Sequence, residues 1–381
     1  MTADPLRVSL DVSAVPARPG GAGYYTMAIA QGLAARPDVG LSVVTRRNDQ
    51  QRWPALVGDA PVRAAVPSSR PRRLVFEQVR LGSVLRSLGV EIHHGPHYTM
   101  PARSPVPCAV TIHDCTFFDH PEWHLRSKAA FFRRAIRRAA RHAAVLICVS
   151  RVTEERLRAS CEVRAPVVVA PHGVDHERFT PLERVPGADR ALLSSLGVPP
   201  ERPLIAFVGT LEPRKGVVPL LAAFDQVARR HPDAVLVLGG ATGWGMAETE
   251  RALAAARHPE RIVRTGYLPD EAVPALLRQA AAVAYPALEE GFGLPALEAL
   301  ACGAPLVTTE GTAMAEFTGT AAHLVPPGDV AALAGAIEVA LGEGRATPRR
   351  EAGIAIAAGH TWEASVALHR QAYAVGQAGS L

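Results

Sequence analysis

The sequence predicts an α/β protein of two domains, each a parallel sheet with helices packed on it. Three observations carry this. The chain has 381 residues, about twice the length of a typical single domain. Short β-branched runs alternate with longer Ala-, Leu- and Arg-rich segments, the rhythm of βαβ units. That rhythm is interrupted over residues 179–202 (FTPLERVPGADRALLSSLGVPPER), a polar, Pro-rich stretch after which strand signals restart.

In chain order, strands are expected over 6–12, 41–45, 92–94, 109–113, 145–149 and 167–170, then over 204–208, 234–238, 261–264, 282–285 and 305–308. Helical segments lie between them, over 25–35, 127–142, 218–230, 271–279 and 295–301, and a last helix is expected over 362–375. The first domain in this reading covers 1–183 and the second 184–361, with the helix of 362–381 packing back onto the first.

Hydrophobic residues make up 48% of the chain and charged residues 20%, enough apolar material for two cores. The formal net charge of +5 suits an anionic small molecule or an anionic membrane surface better than nucleic acid. Of the 41 basic residues only Lys128 and Lys215 are lysines, so a retained lysine invites a chemical reason. The five cysteines, Cys108, Cys115, Cys148, Cys161 and Cys302, are odd in number and lack C-x-x-C spacing, which argues against a disulfide framework or a structural zinc. The N-terminus shows no secretory signal, and no apolar stretch reaches the roughly 18 residues that span a bilayer. A cytoplasmic protein is expected, with a peripheral membrane contact as one option. Residues 127–144 place Phe132, Ile136, Ala140 and Ala143 on one side of a helix and Arg133, Arg134, Arg137, Arg138 and Arg141 on the other. Such a helix can lie on anionic lipid or pack on its own sheet.

The most informative stretch is YPALEEGFGLPALEALACGAPLVTTE, residues 285–310. A strand ends at Tyr285, and a loop with two acids leads to Gly291-Phe292-Gly293. Pro295 sits in a first helical turn, and Gly303 sits where a helix stops. Glycines let backbone approach a ligand, and the N–H groups of a helix start favour an anion. An ordinary βα turn has the same appearance. Glu290 and Glu298 bracket the loop, and carboxylates accept hydrogen bonds from sugar hydroxyls. In FVGTLEPRKGV, residues 207–217, Gly209 turns the chain and Arg214-Lys215-Gly216 opens the next helix. Cations there oppose the helix dipole, which makes sense if they point at a bound anion such as a diphosphate. A solvated surface pair is the bland alternative. His93, His94 and His97 cluster without a matching acid ligand, so a loop lining an acceptor site is expected rather than a metal. His120 and His124 flank Pro121, which favours a loop.

These stretches resemble the retaining glycosyltransferases of family 4, which have the GT-B fold. The Glu-x7-Glu pattern is here Glu290 to Glu298, and the Pro-x-Lys-Gly turn is Pro213 to Gly216. Segments 110–114, 149–157, 171–179, 241–245, 266–277 and 325–337 look like the family as well, in the right order along nearly the whole chain. The resemblance implies two Rossmann-like domains facing a central cleft. It implies a nucleotide diphosphate sugar as donor and co-substrate, a hydroxyl acceptor (glycan, lipid-linked or small molecule), no other cofactor and no metal. Lys215 with Arg214 looks like the diphosphate clamp, and Glu298 like the acid on the ribose hydroxyls. Glu290 looks like the acid facing the sugar, among the backbone N–H groups of Gly291, Phe292, Gly293 and Leu294. Tyr267 and Leu268 look like the edge of the base pocket. His113 resembles the histidine near the transferred sugar, and Gly21 and Gly23 the glycines that approach the donor phosphate. Many members have Gly-Arg where this chain has Gly209-Thr210, so Arg214 takes the place of that cation, as in a mannosyltransferase-like subgroup with a Glu-Pro-Arg-Lys turn. That turn leans towards a GDP-mannose-like donor, with UDP- and dTDP-sugars as alternatives.

The sequence contains no Asp-x-Asp, the metal-binding motif of other sugar transferases. Transfer without a metal is therefore expected. Rival readings are a glycoside hydrolase, which would leave the Arg-Lys turn idle, a sugar-nucleotide epimerase, a pseudo-glycosyltransferase acting on a cyclitol, and a non-catalytic sugar-nucleotide binder. The acceptor is expected near Tyr98, the 117–124 loop and the 68–77 segment, where no motif is diagnostic.

Overall fold

The computed structural model describes residues 4–344 and 347–379; the expected domain ends at 1–3 and 380–381 lie outside the described residues. The chain forms two compact units. One runs up to Gly173 and resumes at Trp362; the other is Val174–Thr361. Residues 174–183 thus go with the second unit, ten positions ahead of the expected boundary. The polar stretch of 179–202 is not a bare linker either. It contains the helix Ala188–Ser195, whose Asp189 is paired through both carboxylate oxygens with Arg278 at 2.6 and 2.8 Å.

Among the described residues, the first unit has seven strands: β1 (Leu6–Asp11), β2 (Val39–Arg46), β3 (Val62–Val66), β4 (Ile92–Gly95), β5 (Cys108–Ile112), β6 (Val145–Cys148) and β7 (Val167–Val169). They form one sheet in the order β3-β2-β1-β4-β5-β6-β7, every neighbouring pair parallel. The second unit has β8 (Leu204–Val208), β9 (Val235–Gly239), β10 (Ile262–Gly266), β11 (Ala282–Tyr285), β12 (Leu306–Thr309) and β13 (Ala322–Val325), in the order β10-β9-β8-β11-β12-β13 and again all parallel. Inner strands such as β5, β6 and β11 are buried at every position, as helices on both faces require. The expected strands miss β3 and β13. Both are sheet edges with partly exposed residues, so neither reads as a continuous apolar run. In each sheet the chain steps outward from a central strand and then returns to its other side, between β1 and β4 and between β8 and β11. Ligands bind at the carboxyl ends of strands at such reversals.

The helix Arg126–His142 buries Ala129, Phe132, Ile136, Ala139 and Ala140, the last four in a core shared with Val110, Ile112 and Leu146. Its apolar face is covered by its own sheet, which answers the question left open by its pattern. Among the described residues no helix is long and apolar enough to cross a membrane.

The helix Trp362–Ala378 belongs to the first unit, where Val366, Ala372 and Tyr373 join the core of β1, β2 and β4. A buried hydrogen-bond chain fixes it there, and its polarity follows from one end. The Ser365 carbonyl can only accept, so His369 Nδ1 carries the proton at 2.7 Å. Neutral His369 then offers Nε2 to the Tyr25 hydroxyl, 2.7 Å away. Tyr25 in turn accepts from Thr111 at 2.7 Å, Thr111 from His94 Nε2 at 2.7 Å, and His94 Nδ1 from the Tyr373 hydroxyl at 2.8 Å. His93 bonds Ser9 at 2.6 Å. His93 and His94 therefore lie inside β4 as core residues, not in a loop lining an acceptor site: buried polar groups need partners, and the neighbouring strands and helix supply them. His120 follows the short helix Thr116–Asp119 and stacks on Trp123 in the 3₁₀ turn Pro121–Trp123, with ring centroids 3.8 Å apart.

Candidate active site

Arg214, Lys215 and Glu290 sit on two loops at the carboxyl ends of adjacent strands, β8 and β11. After β8 the chain makes a single 3₁₀ turn, Pro213–Lys215, and the helix Val217–Arg230 starts beyond Gly216. Arg214 and Lys215 thus stand just ahead of the helix, not within its first turn. Gly216 has φ +71°, and a Cβ there would meet the Pro286 carbonyl oxygen at 1.9 Å. The Leu288 N–H donates to the Arg214 carbonyl at 2.8 Å. These two contacts join the β8 turn to the β11 loop. Gly216→Ala brings a left-handed Ala and a backbone clash together, and is expected to cost more than about 2 kcal/mol. Denaturant unfolding of the full chain measures it; an unchanged midpoint would show that the junction yields at no cost.

Lys215 is 7% exposed. Its ammonium donates to the Tyr285 hydroxyl at 2.6 Å and is ion-paired with Glu290. Tyr285 also donates to Glu290 at 3.4 Å. Arg214 Nη1 lies 3.5 Å from the same carboxylate, while its Nε donates to Glu212 at 2.9 Å. Burial pulls the Lys215 ammonium below the ordinary lysine range, Arg214 adds to this, and Glu290 opposes it. Burial pushes the Tyr285 phenol well up, and Glu290 reinforces the shift. Lys215 and Arg214 therefore face two carboxylates in a charge-balanced cluster. An anion entering it competes with Glu290 and Glu212 for both cations.

Gly293, at φ +96°, caps the helix Leu294–Ala301, and a Cβ on it would meet Met314 Cγ at 2.3 Å. Gly291, Phe292 and Leu294 are buried around this start, and Phe292 stacks on Phe317 with centroids 5.1 Å apart. The loop backbone is held from beneath: Thr308 donates to the Tyr285 carbonyl at 2.9 Å and Thr309 to the Ala287 carbonyl at 2.6 Å. Glu298 lies further along this helix. Burial raises its carboxyl to about 7, Arg178 works against the shift and Asp270 with it.

The structure thus brings Lys215, Arg214 and Glu290 into contact. Gly209, just past β8, has Tyr285 Cε2 3.5 Å from the position a Cβ would take. Tyr267 and Leu268 follow β10; Tyr267 is 40% exposed and Leu268 is buried against Gly239. Gly21, Gly23 and His113 belong to the first unit. Gly21 opens the helix Gly21–Ala34, and Gly23 is packed against Pro19. His113 follows β5, and its Nε2 donates to the Pro96 carbonyl at 2.8 Å, which leaves Nδ1 to accept. Burial lowers the pKa of this imidazole and favours its neutral form. Sequence reasoning missed Tyr285, Glu212 and Arg178. The one available signal was position: Tyr285 ends a strand just before the glycine loop. Among the described residues no group of three His, Cys, Asp or Glu side chains could hold a metal ion.

Residues 19–178 match the profile described as Glycosyltransferase Family 4, and residues 190–355 match Glycosyl transferases group 1. The chain thus carries a Glycosyltransferase Family 4 domain followed by a Glycosyl transferases group 1 domain. The O-antigen chain mannosyltransferase B of Escherichia coli is 29% identical over 256 residues, 65% of each chain. A GDP-mannose-dependent alpha-(1-6)-phosphatidylinositol monomannoside mannosyltransferase of Mycolicibacterium smegmatis is 33% identical over 238 residues, 60% of each chain. The chain thus spans less than two thirds of the length of these relatives. Among solved structures, HepE of Anabaena in complex with UDP-glucose superposes with a TM-score of 0.75 at 19% identity, covering 99% of this chain and 100% of that one. The chain therefore has the GT-B fold, with two parallel Rossmann-like sheets.

Proposed function

We propose that this glycosyltransferase moves a hexosyl group from a nucleotide diphosphate sugar to a hydroxyl acceptor, with retention of configuration and without a metal, and that a GDP-mannose-like donor is preferred. The observation that carries the reading is the buried Lys215, held between the Tyr285 hydroxyl and Glu290 with Arg214 beside it. As the C1–O bond breaks, its electron pair goes to the diphosphate, and two pre-set cations stabilise that charge. The absence of Asp-x-Asp and the cationic turn support transfer without a metal. A diphosphate that takes over Lys215 and Arg214 releases Glu290 to accept from sugar hydroxyls. Glu298, further along the same helix, would hold the ribose hydroxyls. His113, through Nδ1, would position donor or acceptor. The two mannosyltransferase relatives support the donor preference; the acceptor is the hydroxyl of a glycan, a lipid-linked sugar or a small molecule.

The test is a panel of GDP-, UDP- and dTDP-sugars, following nucleoside diphosphate release and the anomeric configuration of the product, with and without chelator. Release with inversion, or loss on chelation, would overturn the corresponding part. The Glu298 carboxyl adds a pH signature. With its pKa near 7, the ionised fraction rises from about one tenth at pH 6 to about nine tenths at pH 8. Donor KM is expected to fall severalfold over that range at steady kcat, and to stay flat in Glu298→Gln. The same slope in both proteins would remove Glu298 from donor binding.

A further inference from the structure

The first unit carries an electrostatic imbalance outside the residues assigned to the proposed donor site. Between residues 60 and 90 there are six arginines, Arg63, Arg70, Arg72, Arg73, Arg80 and Arg86, against one acid, Glu77. The excess of five equals the net charge of the entire chain. Glu77 does little to offset it. It is buried, and burial raises its carboxyl to about 7.

Three of the chain's arginines line one cavity. A cavity of about 380 Å³ opens between the end of β2, the edge strand β3 and the helices Arg70–Val79 and Leu81–Leu88. Arg47, Arg63 and Arg80 line it together with Ser83, over Phe76 and Val84. Among the described residues none of these arginines has a carboxylate partner. Other surface arginines do have such partners: Arg36 pairs with Asp38 at 2.8 Å, Arg158 with Glu154 at 2.8 Å and Arg264 with Glu250 at 2.9 Å. Like charges held around one cavity repel, and an anion between them removes that cost. An apolar flank adjoins the cavity. Val75 and Val79, one position off Phe76 and Arg80 on the helix, are 62% and 69% exposed.

We infer that this cavity is an anion site that takes a phosphate-bearing ligand, clamped by Arg47, Arg63 and Arg80 with the Ser83 hydroxyl as a further donor. An anionic lipid headgroup and a soluble phosphate ester share that chemistry. None of its lining residues is among those assigned to the proposed donor site.

Two binding arms separate the sources, and neither needs turnover, so the outcome is independent of the transfer reading. One is co-sedimentation of the full chain with phosphatidylcholine vesicles with and without phosphatidylglycerol. The other is calorimetric titration with glycerol 3-phosphate, with glycerol as control. Binding in at least one arm is expected, and Arg63→Gln/Arg80→Gln is expected to lose about thirtyfold, each cation contributing about 1 kcal/mol. These side chains are exposed, so the unfolding temperature should not move; Arg47→Gln provides a second variant if it does. Arg36→Gln/Arg158→Gln removes the same charge elsewhere in the unit and should bind as the parent does. Loss in the vesicle arm alone identifies lipid, and loss with glycerol 3-phosphate identifies a soluble ester. No binding in either arm, or equal losses in the two double variants, would overturn the site.

Discussion

Lys215→Ala is expected to lower kcat/KM by about two to three orders of magnitude, the scale seen when one pre-set donor to a developing anion is removed. Lys215 is buried between Tyr285 and Glu290, so it would act on a diphosphate in a site with little water to substitute for it. Removing it also leaves Glu290 without its main counter-charge, which costs stability. Lys215→Met fills more of the space but leaves the same carboxylate without its partner, so the stability cost is read separately, by denaturant unfolding of each variant. On the proposed reading the released Glu290 carboxylate meets the sugar, so Glu290→Ala is expected to lose a similar factor. Tyr285→Phe removes a single hydroxyl and should lose about tenfold while shifting the alkaline limb of the rate profile, since the phenol holds the ammonium in place. Near-normal turnover in both Lys215→Ala and Glu290→Ala, with folded protein, would discard the site.

The first unit is expected to lose stability steeply below neutral pH. Burial lowers the pKa of His93 to about 4, of His97 to about 3 and of His369 to about 4, and holds His94 and His172 well below the ordinary histidine value. A base neutral in the fold and protonated on unfolding contributes stability above its unfolded value of about 6.5, and loses it as pH falls towards the folded one. Each such histidine adds about 1.4 kcal/mol per pH unit to the slope, so three give about 4. The hydrogen-bond chain explains the severity. Protonating His369 or His94 would place a donor against the Tyr25 or Tyr373 hydroxyl, and the run of donors would have to reverse. Glu77, raised to about 7, acts in the opposite sense: its contribution is full below its ordinary value of 4.5 and is lost as pH rises through 7. Denaturant midpoints at pH 7, 6 and 5 decide the matter. Equal midpoints would mean that the histidines already carry charge or water in the fold.

The strand–glycine–helix unit around Glu290 was legible because its punctuation is local: Gly293 needs a positive φ, Pro295 fits only an early helical turn, and Gly303 ends the helix. Lys215 was legible because the chain uses lysine so rarely. Tyr285 was not, since a tyrosine closing an apolar strand looks like any core residue, and only the fold puts its hydroxyl against Lys215. The helices at 70–88 were missed because Arg and Pro dilute their apolar periodicity. The histidines of β4 misled for a related reason. Adjacent imidazoles suggest a loop until the partners arriving from β1, β5 and the last helix are known, and those lie up to 279 positions away.

That last helix has a consequence for biosynthesis. Because the segment from Trp362 onward supplies His369 and Tyr373 to a core whose strands all precede Gly173, a nascent chain holds its earlier half unfinished while the whole intervening unit emerges from the ribosome. The unit of Val174–Thr361 is contiguous and has no such wait. A product cut off after Gly173 would lack the His369 partner of Tyr25 and the Tyr373 partner of His94, so its core could close only if residues 362–379 were supplied.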